Sequence, residues 1–350
     1  MSPTYRDNPH AILPRTVPLN DGTIDPDAAL DVVRAIVPGW SAVSRATVTR
    51  IHGGITNGLS RLSAPGLDDV LVRIYGPNTD VVIDRDRENP LFARLSRESF
   101  APPYLGRFEN GRVEGFLTGF RSLEPHEMGL PRWRRGIAHR LAELHRFAPD
   151  QPVPRTFVTL RSWLEQARDL QFEGPAATAH AALHLSGALD RLSALEAYFH
   201  DTLAPASPPA AVRPVLAHND LLAGNVMVND TTGEVRFIDY EYGDTGFAAF
   251  DVANHFCEYA GFDSDFARGF PDTATRHDFI AAYLGTPAGI DAFDRVVRFF
   301  VLVDHLWWGS WAVVQARFSP IDFDFMGYAE LRLAGLRFHT ERWGPTGAGT

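Results

Sequence analysis

The chain of 350 residues contains a single cysteine, Cys257. One thiol cannot form an internal disulfide, so a fold stapled by disulfides is excluded. This composition fits a reducing compartment, and we expect a cytoplasmic protein. Cys257 lies within an apolar run, which favours a buried small hydrophobic residue over a reactive thiol.

The sequence also lacks the hydrophobic segments that direct a chain to or across a membrane. Residues 1–16 contain no apolar core of a signal peptide. No run approaches the roughly 20 uncharged apolar residues of a membrane span. The most apolar part, residues 299–314, is interrupted by Asp304 and His305. No membrane span is therefore predicted.

Positive charge is in deficit. The chain carries 33 Lys and Arg against 43 Asp and Glu, which gives a formal net charge of −10. This balance argues against a nucleic-acid partner and is compatible with a cationic ligand. The length allows two domains or lobes, and hydrophobic residues make up 45% of the chain, enough for a sizeable core.

What the sequence does contain is a set of polar residues at fixed spacing within residues 216–258. His218, Asp220 and Asn225 follow the H-x-D-x-x-x-x-N pattern of a kinase catalytic loop, and Asp239 ends an apolar run. Phosphoryl transfer needs one carboxylate that accepts the hydroxyl proton, and a carboxamide oxygen and a second carboxylate that hold Mg²⁺. The spacing therefore indicates a phosphotransferase. The alternative is a polar loop beside an ordinary hairpin.

The residues around this set predict a strand, a loop and then a hairpin. Residues 215–217 are apolar, residues 225–228 and 235–240 are rich in β-formers, and a turn is predicted at 229–233. This order would bring Asp220, Asn225 and Asp239 to one point.

Before this set, the sequence predicts an arm and a β-rich lobe. Residues 1–24 are rich in Pro, Asn and Asp, and predict a loose, flexible arm. Residues 25–118 predict an N-terminal lobe with a helix that ends at Pro38, followed by an antiparallel meander. Its strands are predicted at 46–51, 59–62 and 70–75, with a later hairpin at Asn110-Gly111. Gly119 marks the crossover to a C-terminal lobe, residues 119–350.

A glycine-rich turn at residues 52–58 is a candidate phosphate loop. Glycines such as Gly54 let backbone N–H groups approach an anion, and Thr56 and Asn57 can add donors. A plain hairpin turn is the alternative for this segment.

Arg73, in the apolar strand Val70–Tyr75, is a candidate phosphate-holding residue. Kinases use a strand lysine paired with a helix glutamate, and a guanidinium fork suits phosphate as well. Glu88 is the predicted partner, which requires a helix that starts near Glu88 with Pro90 in its first turn. The alternative for Arg73 is a surface arginine on an edge strand.

The C-terminal lobe is predicted to be mostly helical, with helices at 134–147, 160–170, 179–199 and 294–318. His145, on an apolar helix face, is interpreted as a hydrogen-bonded structural histidine. His218 and Asp251 are expected to support the catalytic loop, together with Asn254. Trp308 and Trp311 share a helix face, where they could be core or the aromatic wall of an ammonium site.

These motifs resemble those of the choline and ethanolamine kinases, a family with a protein-kinase-like fold. The resemblance covers residues 45–340, with HNDLLAGN at 218–225, IDYEYGDTGFAAFDVANHFCEYAG at 238–261 and WWGSW…IDFDFMGYA at 307–329. It implies an α+β fold with two lobes, an antiparallel β-rich N-lobe and a mostly helical C-lobe. Details such as IDYEY and IDFDF are more similar to the ethanolamine branch.

The resemblance also implies a role for each matching residue. Asp220 would orient the substrate hydroxyl for attack on the γ-phosphate of ATP, and Asn225 and Asp239 would be Mg²⁺ ligands. The nucleotide phosphates would be held by Gly54, Thr56, Asn57, Arg73 and its partner Glu88. The amino-alcohol pocket would be lined by Tyr242, Glu258, Asp263, Trp308, Trp311 and Tyr328.

The substrate that these resemblances imply is ethanolamine, with phosphoethanolamine for phosphatidylethanolamine synthesis as the product. Asp263 stands where choline kinases tend to carry an aromatic residue, and a carboxylate suits the N–H groups of a primary ammonium. Choline, an aminoglycoside or another small amino alcohol remain alternative substrates, and a non-catalytic kinase-like binding protein is a further alternative. The partner is a small molecule, without nucleic acid, and the family often forms homodimers.

Overall fold

The computed structural model describes residues 5–20, 23–51, 57–77, 79, 83–319 and 321–344. The chain divides into two compact units. Unit 1 comprises the described residues up to Arg121, together with Arg236–Glu241. Unit 2 comprises Ser122–Val235 and the described residues from Tyr242 onward.

Unit 1 is built on a six-stranded sheet. Its strands are β1 (Ile12–Leu13), β4 (Thr47–Ile51), β5 (Asn57–Ser63), β6 (Val70–Tyr75), β7 (Tyr104–Phe108) and β8 (Gly111–Gly115); β2 (Leu19–Asn20) and β3 (Thr23–Ile24) pair separately. The order across the sheet is β1-β7-β8-β6-β5-β4, and only β1 runs parallel to its neighbour. The predicted antiparallel meander and the Asn-Gly hairpin are therefore present.

Helix α1 (Pro26–Ile36) covers one face of this sheet, as its apolar stripe predicts. The Asp25 side chain caps the helix by accepting a hydrogen bond from the N–H of Ala28 at 2.8 Å. Val32 and Val33 are buried in the hydrophobic core that also contains Val72 of β6. Burial of this stripe holds the helix on the sheet.

Helix α2 (Arg85–Arg97) begins earlier than the sequence analysis predicted. The carboxylate of Asp84 accepts hydrogen bonds from the N–H groups of Asp86 and Arg87, which fixes the start at Arg85. Pro90 is consequently the sixth residue of the helix rather than part of its first turn. The prediction of a start near Glu88 was wrong because the stronger cap lies four residues upstream.

Part of the segment expected to be a loose arm packs on unit 1. Ile12 and Leu13 pair in parallel with Arg107 and Phe108 of β7. Val17 is fully buried in the core of the unit. These apolar side chains give the Pro-rich segment an attachment that its overall composition did not indicate.

Unit 2 is mostly helical. Its main helices are α4 (Pro131–Leu144), α5 (Thr156–Asp169), α6 (Gly174–Ala182), α7 (Leu185–Tyr198), α9 (Ala248–Cys257), α11 (Thr273–Leu284), α12 (Ile290–Phe318) and α13 (Phe325–Trp343); α3 (Pro125–Met128), α8 (Pro209–Val212) and α10 (Phe266–Gly269) are single turns. The long helix α12 is central and packs against α5, α9, α11 and α13. Because neighbouring helices surround it, α12 can be apolar on nearly all sides.

The single helix predicted over residues 179–199 is two helices, α6 and α7. The break falls at Leu183 and His184, and His184 has a left-handed backbone with φ of 50°. No proline or glycine marks this break in the sequence, so the apolar pattern alone could not locate it.

The residues around Asp220, Asn225 and Asp239 fold as a strand, a loop and a hairpin, as predicted. Short strands β9 (Arg121–Ser122), β10 (Pro214–Ala217), β11 (Val226–Val228), β12 (Val235–Phe237) and β13 (Asp244–Phe247) are present here. A turn joins β11 to β12, with the N–H of Gly233 bonded to the carbonyl of Asn229 at 2.8 Å. Strand β13, which pairs antiparallel with β10, was not predicted.

Candidate active site

The loop after β10 holds Asp220 and Asn225 against each other. Asn219 turns the chain with a left-handed φ of 63°, a conformation that Asn tolerates better than most residues. The Nδ2 of Asn225 donates hydrogen bonds to the carbonyl of Asp220 at 2.8 Å and to its Oδ2 at 3.0 Å. The Oδ1 of Asn225 accepts no hydrogen bond within the described ranges, so this oxygen can still bind a cation.

Two residues of α9 fix the backbone of this loop. The carboxylate of Asp251 accepts hydrogen bonds from the N–H of His218 at 2.6 Å and of Asn219 at 2.8 Å. The Oδ1 of Asn254 accepts from the N–H of Leu221 at 2.8 Å. The residues flanking Asp220 are therefore held by side chains of a buried helix, which favours a rigid loop.

His145 completes the support. Its Nε2 lies 2.9 Å from Asp251, and its Nδ1 lies 2.7 Å from the hydroxyl of Tyr283. Burial alone would raise the pKa of the Asp251 carboxyl, but the hydrogen bonds from His145 and from the His218 backbone outweigh it and lower that pKa. Burial lowers the pKa of His145. The interpretation of His145 as a hydrogen-bonded structural histidine is confirmed.

Arg73 is buried in the middle of the unit 1 sheet, so the alternative of a surface arginine on an edge strand is wrong. It stands directly opposite Arg112 of β8. Like charges in this position repel, so both guanidinium groups need carboxylates. Arg73 donates from Nε to Glu114 at 2.9 Å and from Nη1 to both oxygens of Asp239 at 3.1 Å. Asp239 itself has a left-handed φ of 64°.

Glu88 is not the direct partner of Arg73, which corrects the predicted pair. Glu88 binds Arg112 and, at 2.6 Å, Arg85. Burial alone would raise the pKa of Glu88, but Arg112 and then Arg85 lower it to about 2. Glu114 binds the arginines of both opposed strands, and the charge of Glu88 acts on Arg73 without a direct ion pair.

This network in unit 1 contains a candidate cation site. One carboxylate oxygen from each of Glu88, Asp239 and Glu241 lies within 4.8 Å of the others. Burial, and then the charge of Asp239, raises the pKa of Glu241 to about 7. The network pairs three guanidinium groups with four carboxylates: Arg73, Arg85 and Arg112 with Glu88, Glu114, Asp239 and Glu241. The excess of negative charge and the hard oxygen donors fit a divalent cation such as Mg²⁺.

Replacing Arg112 by methionine is expected to destabilise unit 1. The change leaves Glu88 and Glu114 with one guanidinium each in a buried setting, and breaking a buried ion pair typically costs about 3–5 kcal/mol. The free energy of unfolding in urea measures the effect. Arg61→Met is the matched control, because Arg61 pairs with Asp69 on the same sheet but its side chain is 38% exposed. A loss of about 1 kcal/mol or less in both variants would contradict the prediction.

The predicted phosphate loop is only partly covered. Gly54 and Thr56 lie outside the described residues. Asn57, the first residue of β5, donates from Nδ2 to Glu241 at 3.1 Å and accepts from Arg85 at 3.2 Å. Asn57 is therefore part of the same network as Arg85 and Glu241.

The predicted pocket aromatics of unit 2 form a continuous cluster. The indole N–H of Trp311 donates to the hydroxyl of Tyr242 at 2.7 Å. The ring of Trp308 meets those of Tyr242 and Trp311 edge-on, with centroids 5.4 and 5.3 Å apart. Phe325 contacts Trp311 and extends the cluster along α13. Trp307 packs against Trp163 and Phe250 in the core, and Trp163 in turn contacts Tyr242 of the cluster.

A buried carboxylate lies on the same helical unit. Glu258 is 7% exposed and accepts at Oε1 from Arg332 at 3.2 Å. Arg332 also donates to the hydroxyl of Tyr328 at 3.2 Å, and Tyr328 contacts Phe323, which contacts Phe325 of the aromatic cluster. Burial raises the pKa of Glu258 to about 7, although Arg332 opposes the shift. Asp263, in contrast, is exposed.

The chain is similar to known proteins over most of its length. The family model described as choline/ethanolamine kinase matches residues 48–336. The chain belongs to the choline/ethanolamine kinase family. A probable ethanolamine kinase of Arabidopsis thaliana is 34% identical over 87% of this chain and 82% of its own length. A probable choline kinase 1 of the same plant is 30% identical over 88% and 92%.

Solved structures of the choline/ethanolamine kinase family share the fold. The ethanolamine kinase of Plasmodium vivax superposes with a TM-score of 0.76 at 26% identity and covers 89% of both chains. The predicted α+β, protein-kinase-like fold is thereby confirmed, and membership of a kinase family implies ATP as phosphoryl donor. Among the helices of the described residues, none is long and apolar enough to cross a lipid bilayer.

Sequence reasoning missed three buried charged residues: Arg112 and Glu114 in the network of unit 1, and Arg332 beside Glu258 in unit 2. Arg112 and Glu114 alternate with Val113 in β8, a spacing that puts both charges on one face of a strand. Arg332 follows Tyr328 by one helical turn. Both spacings were visible, but the burial that makes these charges significant was not.

Proposed function

We propose that the chain transfers the γ-phosphoryl group of ATP to the hydroxyl of ethanolamine and yields phosphoethanolamine, a precursor for phosphatidylethanolamine. The observation that carries the proposal is the match to ethanolamine kinases over most of the chain, at 34% and 32% identity. Ethanolamine is a cation, and the net charge of −10 of the chain is compatible with a cationic substrate.

In this proposal Asp220 accepts the hydrogen bond of the substrate hydroxyl and receives its proton as the phosphoryl group is transferred. The hydrogen bond from Asn225 to Asp220 Oδ2 keeps that carboxylate in one orientation. The carboxylate of Asp220 is the acceptor for the hydroxyl proton. Much of the rate enhancement comes from this orientation.

The nucleotide phosphates are held by positive charge and by backbone N–H groups in the proposal. Arg73 provides a guanidinium fixed by Glu114, and the loop with Gly54, Thr56 and Asn57 provides donors. In unit 1, Asp239 would hold Mg²⁺ with Glu88 and Glu241 beside it, and Asn225 is proposed as a cation ligand on the loop of unit 2. Mg²⁺, when bound, neutralises charge on the transferring phosphates.

The ammonium group of the substrate is held by aromatic faces and a carboxylate. Tyr242, Trp308, Trp311 and Tyr328 provide faces for a cation. Glu258 accepts a hydrogen bond from an ammonium N–H, and Asp263 adds negative charge at an exposed position. A primary ammonium needs such acceptors because its N–H groups lose water on binding.

Choline is the second candidate, since the chain is also 30% identical to a probable choline kinase. A quaternary ammonium has no N–H to donate and is recognised by aromatic faces alone. The catalytic residues would be the same for both substrates, so only the substrate preference separates the two candidates.

The test measures ADP release with ethanolamine, choline and an aminoglycoside in parallel, each with ATP and Mg²⁺. We expect kcat/KM for ethanolamine to exceed that for choline by about tenfold or more, since an unpaired buried acceptor typically costs over 1 kcal/mol. A preference for choline would leave the kinase assignment intact and reverse the substrate. ADP release that responds to none of the three would overturn the proposal.

A further inference from the structure

A chain of hydrogen bonds connects the catalytic loop to the pocket carboxylate inside unit 2. It starts at the N–H of Leu221, next to Asp220, which donates to Asn254. The Nδ2 of Asn254 donates to the Oδ1 of Asp304 on α12 at 3.1 Å. Asp304 binds the guanidinium of Arg332, which donates to Glu258 at 3.2 Å. The helices α9, α12 and α13 each contribute to this chain.

Arg332 is the branch point of the chain. Its Nη2 bonds the carboxylate of Asp304 and also its backbone carbonyl, at 3.2 Å. Its Nη1 donates to both Glu258 and Tyr328, each at 3.2 Å. The side chain is almost completely buried, as is that of Asp304. A guanidinium without water around it holds its partners in one geometry, because breaking any of these bonds leaves a charge unpaired.

The charges of this cluster are not balanced. Glu258 and Asp304 bring two negative charges and Arg332 one positive charge. Arg332 bonds only Oε1 of Glu258, and Oε2 accepts no hydrogen bond from any described residue. One negative charge and one acceptor oxygen therefore remain, which suits a monovalent cation with an N–H donor. Burial raises the pKa of Glu258 to about 7, so without a bound cation this carboxyl takes up a proton near neutral pH.

We propose that Arg332 is a positioning residue for ammonium recognition. It holds Oε1 of Glu258 so that Oε2 meets an N–H of the substrate, and it ties Glu258 through Asp304 and Asn254 to the loop that carries Asp220. Ethanolamine has two carbon atoms between its nitrogen and its hydroxyl, so the acceptor for the ammonium and the base must keep a fixed separation. This inference rests on the proposed function and adds a selectivity mechanism to it.

The experiment compares Arg332→Gln and Arg332→Lys with Arg276→Gln in steady-state kinetics. Arg276 is a matched control, because it is also buried in unit 2 and forms bonds of 2.8 and 3.2 Å to Asp294, away from Glu258. Circular dichroism and thermal unfolding verify that each variant is folded. Arg332→Lys keeps the positive charge but loses the several N–H donors of the guanidinium. It replaces Arg332→Gln in the comparison if that variant does not fold.

We expect Arg332→Gln to raise KM for ethanolamine about ten- to hundredfold while KM for ATP stays within about twofold. Arg332→Lys should give a smaller increase. The ratio of kcat/KM for ethanolamine to that for choline should also fall, because a quaternary ammonium makes no hydrogen bond to Glu258. Arg276→Gln should lower thermal stability and leave both KM values unchanged.

A double-variant cycle with Glu258→Gln decides how Arg332 acts. If it acts through Glu258, the double variant should have the same KM for ethanolamine as Glu258→Gln alone, within about twofold. The inference would be overturned if the increases in KM of the two single variants multiplied in the double variant. It would also be overturned if the Arg332 variants had the same KM for ethanolamine as Arg276→Gln. Failure of the unaltered protein to phosphorylate ethanolamine or choline would instead overturn the proposed function.

Discussion

Replacement of Asp220 by asparagine is expected to lower turnover about a thousandfold or more, a loss of about 4 kcal/mol of transition-state stabilisation. The carboxamide retains the shape of the side chain but cannot accept the hydroxyl proton. Asn225, whose Nδ2 lies 3.0 Å from Asp220 Oδ2, can still contact the new side chain. The affinity for ATP should stay within about threefold, since Asp220 is proposed to act on the acceptor and not on the nucleotide.

The measurement combines single-turnover kinetics with calorimetric titration of ATP. Asp230→Asn provides the control, because Asp230 is an exposed aspartate in the turn after β11. The control should retain full turnover. Turnover of Asp220→Asn within about tenfold of the unaltered protein would remove Asp220 from the role of base.

The local part of this site could be predicted from sequence because its residues are close along the chain. Asp220 and Asn225 are five residues apart, and the predicted loop places them in direct contact. Strand β6 has the bounds predicted from its apolar run. Short-range spacing and apolar periodicity carry this kind of information.

The partner of Arg73 could not be predicted in this way. The chain contains no lysine, so all 33 of its basic residues other than histidine are arginines, and composition does not single out a phosphate-holding cation. The choice of partner depends on the register of β6 against β8, which puts Arg73 opposite Arg112. Register is set by pairing between segments distant in sequence, so the sequence pattern could not show that Arg112 stands opposite Arg73 and binds Glu88.

The ion pair between Arg332 and Asp304 could not be predicted from the sequence for a different reason. Asp304 was visible in the sequence as an interruption of an apolar run, and Arg332 lies one helical turn after a predicted pocket tyrosine. Neither residue alone predicts a buried ion pair. Their pairing requires α12 and α13 to pack side by side, and only then does burial make each charge depend on the other.

Replacement of Asp239 by asparagine is expected to lower turnover about a hundred- to thousandfold and to raise the Mg²⁺ concentration needed for half-maximal rate. Asp239 contributes a charge both to Arg73, at 3.1 Å, and to the group of oxygens that includes Glu88 and Glu241. Asparagine keeps an oxygen donor but removes the charge, so the site should bind a divalent cation more weakly.

A titration of rate against Mg²⁺ at fixed ATP tests this expectation. Asp244→Asn is the control, because Asp244 lies five residues later and pairs with the half-exposed Arg155 at 3.1 Å. If the rate falls but its dependence on Mg²⁺ is unchanged, Asp239 orients Arg73 and does not bind the cation. Since the asparagine also leaves Arg73 with Glu114 as its hydrogen-bonded carboxylate, that outcome should be accompanied by a higher KM for ATP.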